Sequence, residues 1–327
     1  MFWRSKLKFS FFLLLFFSNI IYANPDWVGE WPHTNFNKKN IAFDEIISGG
    51  PPKDGIPAID NPGFELIENI ENIGDNEPVI SVTHKNQTKA YPIRMLMFHE
   101  IVNDEIAELP ISVTYCPLCN SSLVFKRKLE NKILDFGTTG KLRFSNLIMY
   151  DRQTESWWEQ FTGRAIIGEY VGEKLLTLPA QIESFSQFKI KHPKAKVLIP
   201  SKANLRPYGE NPYVKYEQSN WPFLFRGNYQ SEIPPLARVV AIENNAWPLS
   251  LVRKFKEIKY KNFLITWKEG QNSALDTKQI SKGRDVGTVY VFQIDKQGNQ
   301  IPISYQIPFA FTFNAFYPNG KIHGPTN

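Results

Sequence analysis

Ile111-Ser-Val-Thr-Tyr-Cys-Pro-Leu-Cys-Asn-Ser-Ser-Leu123 decides how the rest of the chain is read. β-Branched and aromatic residues run straight into Cys116-Pro-Leu-Cys119, and the same character resumes from Leu123. That pattern suits a strand, a tight turn and a second strand. The turn holds the only two cysteines in 327 residues. A bridge across so short a loop removes little unfolded-state entropy. The pair therefore reads as chemical in purpose and not as a stabilising framework.

Upstream, Val79-Ile-Ser-Val-Thr83 alternates like a strand, His84 to Thr88 turns, and Lys89-Ala-Tyr91 resumes. Pro92 suits the first position of a helix, predicted over Ile93 to Asp104. Ile93, Leu96, Met97 and Ile101 share its apolar face, with His99 at the edge. Downstream, Leu123–Arg127, Ile133–Phe136, Leu147–Tyr150 and Ala165–Val171 read as strands. Glu183 to His192 suits a short helix capped by Ser184 or its neighbour, and Lys196–Ile199 closes the unit. Aromatics at 14% and 23 prolines point the same way, to short strands and many turns. The expectation is a β-rich α+β fold.

The last part of the chain echoes this course. Val239-Val-Ala-Ile242 answers Val79–Val82, and Ala246-Trp-Pro-Leu249 answers Ala90–Ile93. Phe263-Leu-Ile-Thr-Trp267 answers Ile111–Tyr115, and Asn272-Ser-Ala-Leu275 answers Asn120–Leu123. This implies two related lobes from an internal repeat. Lys268 and Gln271 stand where the first copy has Cys116 and Cys119, and Phe255 stands where it has His99. Residues missing together are candidates for one site.

Arg4, Lys6 and Lys8 precede the apolar run Phe9 to Ile21, which is short for a membrane span and ends near Ala23. Residues 1–23 are read as a signal peptide, which implies export, most simply to a periplasm, and a mature protein not integral to the membrane. Without them 35 basic residues face 32 acidic ones, a net +3, and no basic stripe suggests nucleic acid. The remaining divisions are an N-terminal segment at 24–78, a first lobe at 79–200, a connection at 201–235 and a second lobe at 236–327. Within 24–78, Ser48 to Phe64 is rich in proline and glycine. It reads as an ordered loop wrapped over a core, with Lys53 and Asp54 facing a ligand as the alternative. The aromatic residues of 201–235 imply that it packs on something and is no free linker.

Four ordered motifs carry a resemblance. They are Gly49-Gly-Pro-Pro-Lys-Asp-Gly-Ile-Pro57, His99-Glu-Ile-Val-Asn-Asp104, Thr114-Tyr-Cys-Pro-Leu-Cys119 and Tyr150-Asp-Arg-Gln-Thr154. Together they resemble the bacterial family called domain of unknown function 3179. The resemblance implies that the motifs form the family's common surface. It supplies no reaction, substrate or cofactor, and the physiological partner stays unknown.

The residues themselves admit four readings. The first is a soft-metal site for copper or zinc, with Cys116 and Cys119 gripping one side and His99 as third ligand. His84 is the second choice, and Met95 or Met97 would serve copper. The second reading is thiol–disulfide exchange by Cys116 and Cys119. The third is a Cys116 nucleophile with His99 as base and Asp104 or Asp151 as orienting group. The fourth is a binding scaffold with an inert cysteine pair. Whether the protein is an enzyme stays open among them. Asp151 and Arg152, beside Trp157 and Trp158, form a second candidate site for a polar or carbohydrate-like ligand, against a structural turn. His33, His192 and His323 stand alone and read as structural.

Overall fold

The computed structural model describes residues 25–201 and 206–324. The signal peptide expected at 1–23 lies outside the described residues. Among them, no helix is long and apolar enough to cross a membrane.

Pro78–His84 pairs antiparallel with Gln87–Pro92, and Lys85 turns the chain at φ 50°. Pro92 then precedes helix α1, Ile93–His99. This helix is shorter than the expected span to Asp104. Glu100 leaves it at φ 58° while its N–H still closes on the Leu96 carbonyl at 2.8 Å. The β-branched Ile101 and Val102 then favour extension, and Ile101–Ile106 pairs with Leu109–Cys116. Leu109–Cys116 also pairs with Ser121–Lys126, and Thr177–Leu178 completes a four-stranded sheet. Helix α2, Phe185–Lys191, is capped by Ser184 as expected, the Gln187 N–H donating to its Oγ at 3.4 Å. The strand expected over Ala165–Val171 stops at Ile167, because Gly168 takes φ 98°.

Among the described residues, five sheets of three to five strands form a propeller-like ring, accompanied by four short α-helices and one two-stranded ribbon. This is the β-rich α+β architecture expected. The largest apolar cluster runs from Ile47 to Phe311 and takes in Cys116 and Cys119.

The chain follows a similar course in its last third. Val239–Ile242 pairs with Asn245–Pro248, α3 spans Leu249–Phe255, and Glu257–Tyr260 pairs with Phe263–Lys268. Lys256 caps α3 at φ 63°, as Glu100 caps α1. The Tyr115 N–H donates to the Glu100 carbonyl and the Trp267 N–H to the Lys256 carbonyl, each at 2.8 Å. A strand joins in parallel behind each hairpin: Lys196–Ile199 after α2, and Lys321–Ile322 after α4, Ala310–Phe316.

The Pro/Gly-rich stretch is a wrap, as expected. The Asp54 N–H donates to the Thr138 carbonyl at 2.9 Å, and the Ile59 N–H to that of Ile101 at 2.9 Å. Gly140 permits the closest approach. It sits at φ 69°, and a Cβ there would fall 1.9 Å from the Pro51 carbonyl oxygen. Gly140→Ala is expected to lower the unfolding free energy by at least ~2 kcal/mol in a denaturant melt. An unchanged midpoint would show that the wrap yields freely.

Candidate functional site

The thiols sit where a strand is forced to reverse. Cys116 ends its strand paired with Ser121, leaving Pro117 to Asn120 to make the turn. Pro117 begins a single 3-10 turn over Pro117–Cys119, and Asn120 closes it in the left-handed region at φ 49°. Asparagine tolerates that region better than most residues. Its side chain is engaged at both ends. Tyr115 Oη donates to Asn120 Oδ1 at 3.2 Å, and Asn120 Nδ2 donates to the Ile307 carbonyl at 2.6 Å.

Both cysteines are buried and unbridged. The Cys116 thiol lies 3.7 Å from the Ser145 carbonyl. Burial pushes the Cys116 thiol well above its ordinary value, and Cys119 adds to the shift. Backbone N–H groups of Leu147 and Cys119 oppose it. That shift runs against the lowered thiol value that such a pair takes at a helix start. The motif ends a strand instead of opening a long helix, and loss of water outweighs the few backbone dipoles.

Beside Cys116 lies an acid the sequence reading passed over. Glu100 is 7% exposed. Burial raises its carboxyl well above the usual range, and Cys116 raises it further. The phenols of Tyr213 and Tyr216 are raised as well, by burial first. Glu100 adds to the shift of Tyr213, and both cysteines to that of Tyr216. The signal available in sequence was the contrast between Glu100 and its counterpart Lys256.

The connecting segment packs on this site, as its aromatics implied. Tyr216 Oη donates to the Leu118 carbonyl at 2.8 Å, and Ser145 Oγ to the Phe223 carbonyl at 2.7 Å. Glu217 anchors the segment, pairing with Arg238 at 2.9 Å and Arg284 at 2.7 Å. Leu118, Tyr213, Tyr216, Trp221 and Phe223 line an apolar groove of about 610 Å³ over the turn. Trp221 and Phe223 stay more than half exposed there.

His99 is not a third ligand for the sulfurs. Its Nδ1 lies 2.8 Å from the Pro57 carbonyl and its Nε2 2.7 Å from Tyr208 Oη, so both nitrogens are occupied. Among the described residues, no group of three His, Cys, Asp or Glu gathers as a metal cage. The Cys116–Cys119–His99 set expected for copper or zinc is thus not assembled. The same bonds take His99 away from a role as base to Cys116. The physical reason is the helix end: α1 stops at His99, and the reversal at Glu100 sends adjacent side chains to different surroundings.

The remaining candidates are engaged elsewhere. Met95 and Met97 are core residues. His84 ends its strand. Asp104 accepts from Lys89 at 2.8 Å and from Tyr91 at 2.6 Å. Asp151 is buried and accepts from the Thr154 N–H and hydroxyl and from the Trp158 indole N–H, which locks a structural turn. Arg152 pairs with Asp60 at 2.6 Å, Tyr150 bonds Asp54, and Lys53 pairs with Glu155 at 2.5 Å. Two of the four motifs thus meet in one salt-bridged seam that holds the wrap. His33 is exposed, while His192 packs on Phe188 and His323 stacks on Trp247.

The chain belongs to a family described as protein of unknown function, DUF3179, whose model matches residues 53–320. No curated protein and no solved structure matches it.

The buried acid carries a pH signature. Because its folded-state value is raised, native Glu100 keeps its proton to higher pH than the unfolded chain, which titrates near about 4.3. Stability is fully present below that value and falls by about 1.4 kcal/mol per pH unit as pH rises toward the folded value. Glu100→Gln removes that loss. Urea melts are expected to find the variant more stable than wild type at neutral pH and level with it near pH 4. A gain of the same size at both pH values would refute the assignment.

Proposed function

We propose that this is an exported thiol–disulfide oxidoreductase whose centre is the Cys116–Cys119 pair. One observation carries the reading: two unbridged thiols on one tight turn, whose Leu118 lines an apolar groove. In the working step the two thiols give two electrons and two protons to a partner's disulfide. The partner leaves as a dithiol, and Cys116 and Cys119 become joined. Export rests on the basic and apolar leader, in a compartment where such exchange operates.

The raised Cys116 value favours one direction. A thiol that resists ionisation does not stabilise the reduced form as thiolate, so the pair is a reductant. We read the chain as two related units, the second having Lys268 and Gln271 where the first has its thiols. The matching caps at Glu100 and Lys256 support that reading.

Redox buffers of dithiothreitol test the proposal, with the bridge scored by mass and by thiol labelling. The expected result is a reversible two-electron couple below about −270 mV, together with reduction of insulin disulfides. Cys116→Ser and Cys119→Ser should each abolish that reduction. Tyr216→Phe frees the Leu118 carbonyl and should speed it several-fold. A pair that never bridges, or full activity in both serine variants, rejects the reading.

A further inference from the structure

A second site opens beside α1, and neither thiol lines it. A cavity of about 320 Å³ lies between α1 and the chain around Tyr208, lined by Ile59, Met95, His99, Ile199, Arg206 and Tyr208 among others. That volume is at the small end of ligand sites, enough for a molecule the size of a monosaccharide.

The hydrogen-bond polarity of its wall can be worked out. A carbonyl oxygen only accepts, so the contact with Pro57 places the hydrogen on His99 Nδ1. In the neutral ring Nε2 is then an acceptor, and Tyr208 Oη donates to it at 2.7 Å. Burial lowers the His99 value and so favours that neutral form. The Pro57 carbonyl works against this, and the charge of Arg206 reinforces it. Tyr208 has therefore spent its only hydrogen, and its oxygen can only accept from a ligand. Arg206 brings a positive charge to the same cavity, and no ion pair engages it among the described residues. Met95 and Ile199 supply apolar surface opposite.

We propose that this cleft binds a small hydroxy-carboxylate, of sugar-acid size or less. The guanidinium of Arg206 takes the carboxylate through its paired N–H groups. A ligand hydroxyl donates to Tyr208 Oη, and the ligand's C–H face packs on Met95 and Ile199. His99 does not touch the ligand in this arrangement; it positions Tyr208 by holding its hydrogen. The counterpart of His99 in the last third of the chain is Phe255, 47% exposed, so the corresponding place there has no imidazole. This site does not depend on the thiol reading.

Calorimetric titration with D-glucuronate and with D-glycerate tests it on the full mature chain. At least one is expected to bind saturably at one site. Acetate, which lacks the hydroxyl, and glucose, which lacks the carboxylate, should bind at least tenfold more weakly. Arg206 is exposed, so Arg206→Ala should fold as wild type by circular dichroism while losing at least tenfold in affinity. Tyr208→Phe should lose a similar factor. The Cys116→Ser, Cys119→Ser double variant should bind as wild type, which separates this site from the redox proposal. Absence of saturable binding by both acids overturns the inference, and so does unchanged affinity in Arg206→Ala.

Discussion

A strand that reverses within one 3-10 turn cannot satisfy all of its own backbone. The Cys119 carbonyl is buried at the turn, and leaving it unpaired would cost about 1–3 kcal/mol. The N–H of Phe309 meets it at 3.0 Å. Asn120, which must adopt the left-handed region to close the turn, donates to the Ile307 carbonyl, 187 positions further along. The residues just before α4 therefore complete the thiol turn. A short local motif becomes a site only once the far end of the chain has docked. Closing a loop over that separation carries an entropic cost that these pairings must offset.

The two hairpin–helix–hairpin segments separate what the backbone requires from what the side chains add. Each needs a residue of positive φ to stop its helix and offer a carbonyl to the following strand. Glu100 meets that need with its side chain turned inward, beside Cys116. Lys256 meets it with its side chain exposed, the ammonium 3.6 Å from the Trp267 ring centre. Lys268, where the other segment has Cys116, is exposed as well. Neither glutamate nor lysine is favoured at such an angle, so the conformation is imposed by the strand pairing that follows. The side chain is then free to be chosen for other reasons.

The alternation of β-branched residues, the Pro92 boundary and the Ser184 cap made most elements around the thiols legible, because each is a local preference. The end of α1 was not. Ile101 continues the apolar helical face of Ile93 and Met97, and only pairing with Leu109–Cys116 turns it into a strand. That one misreading carried the site error with it. A helix running to Asp104 leaves His99 free to face the sulfurs, whereas a helix stopped at His99 leaves it bonded to Pro57 and Tyr208. The partners of a histidine depend on chain geometry over 42 and 109 positions, which no local pattern records. The packing of 206–235 was legible in kind from its aromatics, but its specific anchors, Tyr216 on Leu118 and Glu217 on Arg238, were not.

The thiol site is an unfavourable object for a core to contain. It gathers a carboxyl, two thiols and several phenols where water is scarce, and burial raises Glu100, Cys116 and the neighbouring tyrosines alike. The last third of the chain forms a comparable hairpin–helix–hairpin with exposed lysines at two of these places and a buried Gln271 at a third. This scaffold therefore does not need the acid or the sulfurs in order to fold. Their destabilising burial has no structural return that the other segment lacks.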